Sequence, residues 1–280
     1  MPLVTTKVML EDAYKNNYAI GAFGAHNLEI IKAVIAGAEK VGAPVILQTT
    51  SSTYKYVEMP YMIALAKTAA EQAKVPVALH LDHGESYKIV MECLRAGYTS
   101  VMIDGSSLPF EENILLVKKV VEAANALNVP VEAELGTIGG VEDRLSVHED
   151  NAFFTEPKQA EHFVKVTGIQ SFAPAFGTAH GKYKQKPKLQ FDLLQEIHCS
   201  TNVPLVMHGA SGVPEEDVRK SLNYGIAKVN FSTELKDLFA EQLRAYFKDN
   251  PTENDPRKYF LPARESLIKL VEQKIEMLQK

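Results

Sequence analysis

Three of the eight histidines are followed directly by glycine: His83-Gly84, His180-Gly181 and His208-Gly209. Each ends or closely follows a short apolar, β-branched run, the place where a strand hands the chain to a loop. Three neutral imidazoles that leave a fourth position open are the donor set of catalytic zinc. Taken singly, each reads better as a hydrogen-bonded rim or core histidine, and it is their recurrence at equivalent positions that favours the ligand reading. His80, inside a strand, is expected to be a packed barrel histidine. Carboxylates stand at the same places: Asp82 beside His83, Asp104 at the end of a strand, Glu132 and Glu134 on another, and Glu142 and Asp143 in a polar stretch beyond it. Burying an unpaired carboxylate is expensive, so a metal, a polar substrate or a neighbouring lysine or arginine must compensate it. A phosphate site is suggested by Gly209-Ala210-Ser211-Gly212, which leads through Val213-Pro214 into a helix, and by Asn230-Phe231-Ser232-Thr233. Small residues let backbone N–H groups approach an anion, and a helix N-terminus adds favourable partial charge.

These residues are far apart in the chain, so the fold must gather them. Apolar runs recur at 19–25, 44–50, 76–83, 100–106, 129–136, 171–178, 204–210 and 226–233, separated by stretches with apolar residues at helical spacing, such as Ile30, Ile31, Val34, Ile35 and Ala38. Near-continuous apolar strands alternating with helices call for a parallel sheet covered by helices. Eight such units in about 250 residues indicate a closed (β/α)8 TIM barrel, with residues 1–280 as one domain. In that barrel the C-terminal ends of all strands share one face, which brings the three His-Gly pairs together. A doubly wound open sheet is the alternative, but no G-x-G-x-x-G follows the first strand. Two polar connections, 137–156 and 179–190, are long enough to be functional. An additional C-terminal helix is expected over 262–278.

Bulk properties narrow the function further. A net charge of -5 and a pI near 5.9 give no basic field for nucleic acid or an anionic membrane, so anionic small molecules must be held by local groups. No apolar run approaches ~18 residues and the start of the chain has no basic-then-apolar signal, which leads to the expectation of a soluble cytoplasmic protein. Cys93 and Cys199 have no C-x-x-C spacing and are expected to be structural thiols in helices.

In combination, L-H-L-D-H-G (79–84), V-E-A-E-L-G (131–136), G-G-V-E-D (139–143), G-T-A-H-G (177–181), H-G-A-S-G (208–212) and N-F-S-T-E-L-K (230–236) resemble the class II, zinc-dependent ketose-bisphosphate aldolases over essentially the whole chain. G-T-A-H-G with S-T-E-L-K is closer to the tagatose-bisphosphate branch than to the fructose branch. The resemblance implies that His83, His180 and His208 bind one catalytic zinc ion and that Asp82 moves the proton on the C4 oxygen of the substrate. Glu134 matches an alternate metal-site carboxylate and Asp104 a rim acid near the metal. Glu142 matches the group that exchanges the proton at the carbon beside the ketone. Gly181, Gly209, Ala210, Ser211, Asn230, Phe231, Ser232 and Thr233 fall in the segments that hold the phosphate on the ketone side, next to which the resemblance allows a monovalent cation. Arg257, in Asp255-Pro256-Arg257, matches a place from which arginine reaches the other phosphate, in a neighbouring subunit of a homodimer or homotetramer. Enzymes of the tagatose branch often work beside an accessory subunit, and the resemblance allows one here.

Two departures touch the substrate pocket. Where the first strand commonly ends F-N-x-x-N, this chain has Phe23-Gly24-Ala25-His26-Asn27, and Thr49-Thr50-Ser51-Ser52-Thr53 replaces G-T-P-G-T after the second strand. Two other functions compete with the metal aldolase. A Schiff-base aldolase would use Lys228, the one lysine placed inside a barrel strand, although a head group snorkelling to the bottom or the rim is expected there. A non-catalytic sugar-phosphate binder would need the phosphate loops but no convergent histidines.

Overall fold

The computed structural model describes residues 2–142, 145–147, 153–183 and 185–279. In chain order the strands are β1 (Ile20–Gly24), β2 (Val45–Thr49), β3 (Val77–Gly84), β4 (Ser100–Ile103), β5 (Val131–Leu135), β6 (Gly139–Glu142), β7 (Leu145–Val147), β8 (Ser171–Pro174), β9 (Ala179–His180), β10 (Leu205–Met207) and β11 (Ile226–Phe231). Eight of them close a parallel barrel in the order β1-β11-β10-β8-β5-β4-β3-β2. Closure is made by β1, which pairs with β2 and also with β11, Ile20 facing Lys228 and Ala22 facing Asn230. The eight apolar runs of the sequence are these eight strands, and every residue of each is buried because helices cover the outer face. The open-sheet alternative is thereby excluded.

The helices are α1 (Thr6–Asn16), α2 (Leu28–Val41), α3 (Ser51–Val57), α4 (Met59–Gln72), α5 (Tyr87–Ala96), α6 (Phe110–Asn125), α7 (Pro157–Thr167), α8 (Phe191–Thr201), α9 (Glu215–Leu222), α10 (Thr233–Asp249) and α11 (Pro256–Leu278). Asn27 starts α2 by accepting the Ile30 N–H at 2.9 Å, and Ser86 does the same for α5. The long connections carry a second, three-stranded sheet in the order β7-β6-β9.

That sheet was not anticipated, and two helices also depart from expectation. The C-terminal helix begins at Pro256, six positions before the expected start, because Asp255 accepts the Arg257 N–H and Pro256 occupies the first helical position, leaving Pro262 inside the helix. Helix α1 was not anticipated. Its Met9, Leu10 and Ala13 pack on Ile20, Ala22, Ile46, Ala78 and Ala227, closing the N-terminal end of the barrel. Both cysteines lie in helices, as expected, with Cys93 buried and Cys199 exposed. Burial pushes the Cys93 thiol up to about 12, which keeps it inert. Among the described residues no helix is long and apolar enough to cross a membrane.

Candidate active site

At the C-terminal mouth of the barrel His83, His180 and His208 present nitrogen atoms within 4.8 Å of one another. Their ring centroids are 4.9 Å (His83 to His180), 4.7 Å (His83 to His208) and 5.8 Å (His180 to His208) apart. His83 reaches this point through a left-handed backbone, φ 46°, that few non-glycine residues adopt. Its N–H meets the Met102 sulfur at 3.4 Å, and a Cβ on Gly84 would sit 2.4 Å from the Met102 carbonyl oxygen, so only glycine lets β3 turn there. His180 lies on β9, and the loop bearing it is clamped to the end of β10. Tyr183 accepts the Ala179 N–H at 2.7 Å and donates to the Gly209 carbonyl at 2.8 Å. Gly209, at φ 65°, is required because a Cβ would lie 2.3 Å from the Ala179 oxygen.

Carboxylates fix which nitrogen of two imidazoles carries the proton. Asp104 lies 2.8 Å from His83 Nδ1, and Glu132 lies 2.8 Å from His208 Nε2. Burial alone would raise both carboxyls. The His83 contacts on Asp104, and Lys228 with His208 on Glu132, outweigh it and hold both well below the usual range. An ionised carboxylate only accepts, so each of these ring nitrogens donates. The remaining nitrogens, His83 Nε2 and His208 Nδ1, face each other at 2.9 Å with their lone pairs. Such an approach is reconciled by a cation or a shared proton between them. Burial lowers the His208 pKa, which favours the neutral ring a metal needs. The donor set therefore fits a divalent metal. A second group of possible ligands, His83, Asp104 and Glu134, overlaps the first.

Beside the imidazoles, Asp82 is 1% exposed. Asn230 donates to its Oδ1 at 3.2 Å, while its Oδ2 has no hydrogen-bond partner among the described residues. A buried carboxylate oxygen in that state is poised to accept from a substrate hydroxyl. A narrow cleft next to it is lined by Gln48, His180, Gly181, Gly209, Ser211, Asn230, Ser232 and Thr233. Ser232 and Thr233, at the start of α10, line this cleft, so the N-terminus of that helix opens on it. Ala210 and Phe231 turn their side chains into the hydrophobic core, so those two can offer backbone alone. Arg257 lies elsewhere, in a pocket with Glu29, Pro256, Phe260, Leu261 and Arg264, and its guanidinium is held by both oxygens of Asp255. Within one chain the structure does not bring it to the cleft. The backbone of Glu142 ends β6, which pairs with β9 through Gly140 and His180. Its side chain, Asp143 and Arg144 lie outside the described features.

The surroundings of several residues at the site were not read from the sequence. Lys228 does not snorkel to the rim: it is 0% exposed inside the barrel, 2.8 Å from Glu132 Oε2 and 3.2 Å from His80 Nε2, because those two groups satisfy its ammonium there. Gln48 and Tyr183 give no sequence signal, since isolated polar residues after strands are common. His26 fills the space that the departure at Gly24 leaves, with its ring nitrogens 3.2 Å from Thr53 Oγ1 and 3.2 Å from Ser232 Oγ. A Cβ on residue 24 would approach His26 Nε2 to 2.7 Å. On the far side of His26 a cavity of about 480 Å³ is lined by Asn27, Ile30, Ser52, Thr53, Tyr56, Lys236 and Phe239.

A closed barrel whose mouth gathers three imidazoles and a buried carboxylate beside a narrow cleft has the form of a metal-dependent enzyme. The family model described as fructose-bisphosphate aldolase class-II matches residues 4–280, and the chain belongs to that family, the metal-dependent aldolases. The YdjI aldolase of Escherichia coli K12 is similar at 33% identity and TM-score 0.86, covering 99% of this chain and 97% of that one. Fructose-bisphosphate aldolase (Fba) of Campylobacter jejuni is similar at 26% identity and TM-score 0.81, covering 99% and 95%.

Proposed function

We propose that the chain catalyses the reversible aldol cleavage of D-tagatose 1,6-bisphosphate to dihydroxyacetone phosphate and glyceraldehyde 3-phosphate, with zinc held by His83, His180 and His208. The observation that carries this reading is the convergence of the three imidazoles beside the unpartnered Oδ2 of Asp82. When bound, the metal supplies Lewis-acid polarisation of the ketone and its neighbouring hydroxyl. Asp104 and Glu132 keep His83 and His208 in the ligand tautomer. Asp82, held through Oδ1 by Asn230, takes the proton from the C4 hydroxyl in cleavage and returns it in condensation. The ketone-side phosphate lies in the cleft of Gly181, Gly209, Ser211, Ser232 and Thr233, against the N-terminus of α10. The aldehyde half extends past His26 toward Ser52, Thr53 and Lys236.

Glu142 serves as proton donor to the carbon beside the ketone, carried by the strand that pairs with His180. Glu134 and Asp104 form an alternate resting place for the ion. Arg257 meets the distal phosphate of a neighbouring subunit in a cytoplasmic homodimer or homotetramer.

The tagatose assignment rests on G-T-A-H-G and S-T-E-L-K. The fructose epimer is the second reading, favoured by the family description and by the Campylobacter jejuni aldolase. Comparing kcat/KM for the two bisphosphates with the purified chain decides between them. The tagatose value should be the higher by at least about tenfold, an energy of about 1.4 kcal/mol. A higher value for fructose overturns the sugar and leaves the reaction intact.

A further inference from the structure

Below the metal-site histidines a line of hydrogen bonds runs through the barrel interior. Strand periodicity puts His80 with Asp82, Glu132 with Glu134, and Lys228 with Asn230 on the inward faces of β3, β5 and β11. Thr6 of α1 donates to Ser100 Oγ at 2.9 Å, and His80 Nδ1 lies 2.8 Å from the same oxygen. Lys228 Nζ is 3.2 Å from His80 Nε2 and 2.8 Å from Glu132 Oε2, whose partner oxygen meets His208 Nε2 at 2.8 Å. His80, Glu132, His208 and Lys228 are each at most 1% exposed. An ammonium has donors only. Nε2 of His80 must therefore accept, which leaves the ring proton on Nδ1 for Ser100. On the other side Glu132, ionised beside the ammonium, must accept from His208 Nε2–H. One cation thus sets the tautomers of two histidines.

We infer that Lys228 is a positioning residue for the metal centre: through Glu132 it fixes His208 with Nδ1 bare and aimed at the ion, and through His80 it orders the wall beside Asp82. The inference rests on the proposed role of His208 as a metal ligand. His80 Nε2 lies 4.0 Å from Asp82 Oδ1, so the lysine braces both the ligand and the acid-base side of the mouth. A Schiff-base role does not fit an ammonium with no solvent exposure that is already bonded to Glu132 and His80. Stability alone explains the pair poorly too, because a well-packed apolar pair of similar volume is commonly neutral or stabilising in place of a buried ion pair.

The test uses Lys228→Met and the double variant Glu132→Leu with Lys228→Met. Zinc affinity is measured by chelator competition, the histidine tautomers by ¹⁵N NMR, and thermal stability on the metal-free chains. Lys228→Met should bind zinc about 10–100-fold more weakly and move the His208 ring nitrogens away from their Nε2–H pattern. The double variant, freed of the buried charges, should melt no lower than the parent and still bind zinc at least about tenfold more weakly. Parental zinc affinity in Lys228→Met overturns the inference. If that single variant fails to fold, parental affinity in the double variant overturns it equally. His208→Ala serves as the control for the underlying reading: unchanged zinc binding there would remove His208 from the metal site, an outcome distinct from any result at Lys228.

Discussion

Asp82 and Asn230 show how one hydrogen bond divides the work of a carboxylate. Oδ1 is engaged by the amide at 3.2 Å, and Oδ2 meets no hydrogen-bond partner among the described residues, as the proposed acid-base role requires. Asp82 belongs to neither overlapping group that contains His83, so removing its charge should spare the ion. Asp82→Asn is expected to keep parental zinc content and to lose about 10²–10⁴-fold in kcat, the usual contribution of a general acid or base. Metal analysis and kinetics on one sample check this, and loss of zinc with the parental rate after reconstitution would contradict the role. The convergence of the three His-Gly pairs was legible in the sequence because His83 ends β3, His208 directly follows β10 and His180 lies in the connection after β8, and the barrel gathers the ends of those strands on one face. The pairing of Lys228 with Glu132 was not, although each residue stood out by itself. Their meeting depends on which faces of β5 and β11 turn inward and on how far into the barrel each side chain reaches, and neither follows from one strand alone. His80 met its expectation as a packed histidine, and its bonds to Ser100 and Lys228 give the reason it is polar.

At the level of elements, the strands were legible and the helices at the two ends of the chain were less so. Strands buried on both faces leave continuous apolar runs, while α1 has its apolar residues diluted among lysines and acids and is held by the barrel floor. Likewise α11 starts earlier than its apolar pattern because Asp255 and Pro256 set the start locally. This long helix packs on α2 at Gly37, where an added Cβ would lie 2.7 Å from Val271 Cγ1 and 3.0 Å from the Ile268 carbonyl oxygen. Overpacking of that kind costs about 1–3 kcal/mol, against about 1 kcal/mol gained from helix propensity. Gly37→Ala is therefore expected to lower the Tm by about 2–4 °C, with kcat unchanged. An unchanged or higher Tm would show that α2 and α11 can move apart freely.

Across the whole molecule, the barrel converts eight local strand ends into one site, and the second sheet ties β6 to the strand that carries His180. The polar line from Thr6 to His208 joins the closed floor of the barrel to its open mouth. Removal of the metal is the most direct test of this arrangement. The chain is stripped with a chelator, zinc is added back in steps, and bound metal and cleavage of the sugar bisphosphate are followed together, with His208→Ala alongside. Cleavage should vanish on stripping and return in proportion to zinc up to about one equivalent per chain, while His208→Ala regains neither metal nor activity. Cleavage that survives in the stripped chain, or a fully active His208→Ala protein, would contradict a metal site built from His83, His180 and His208.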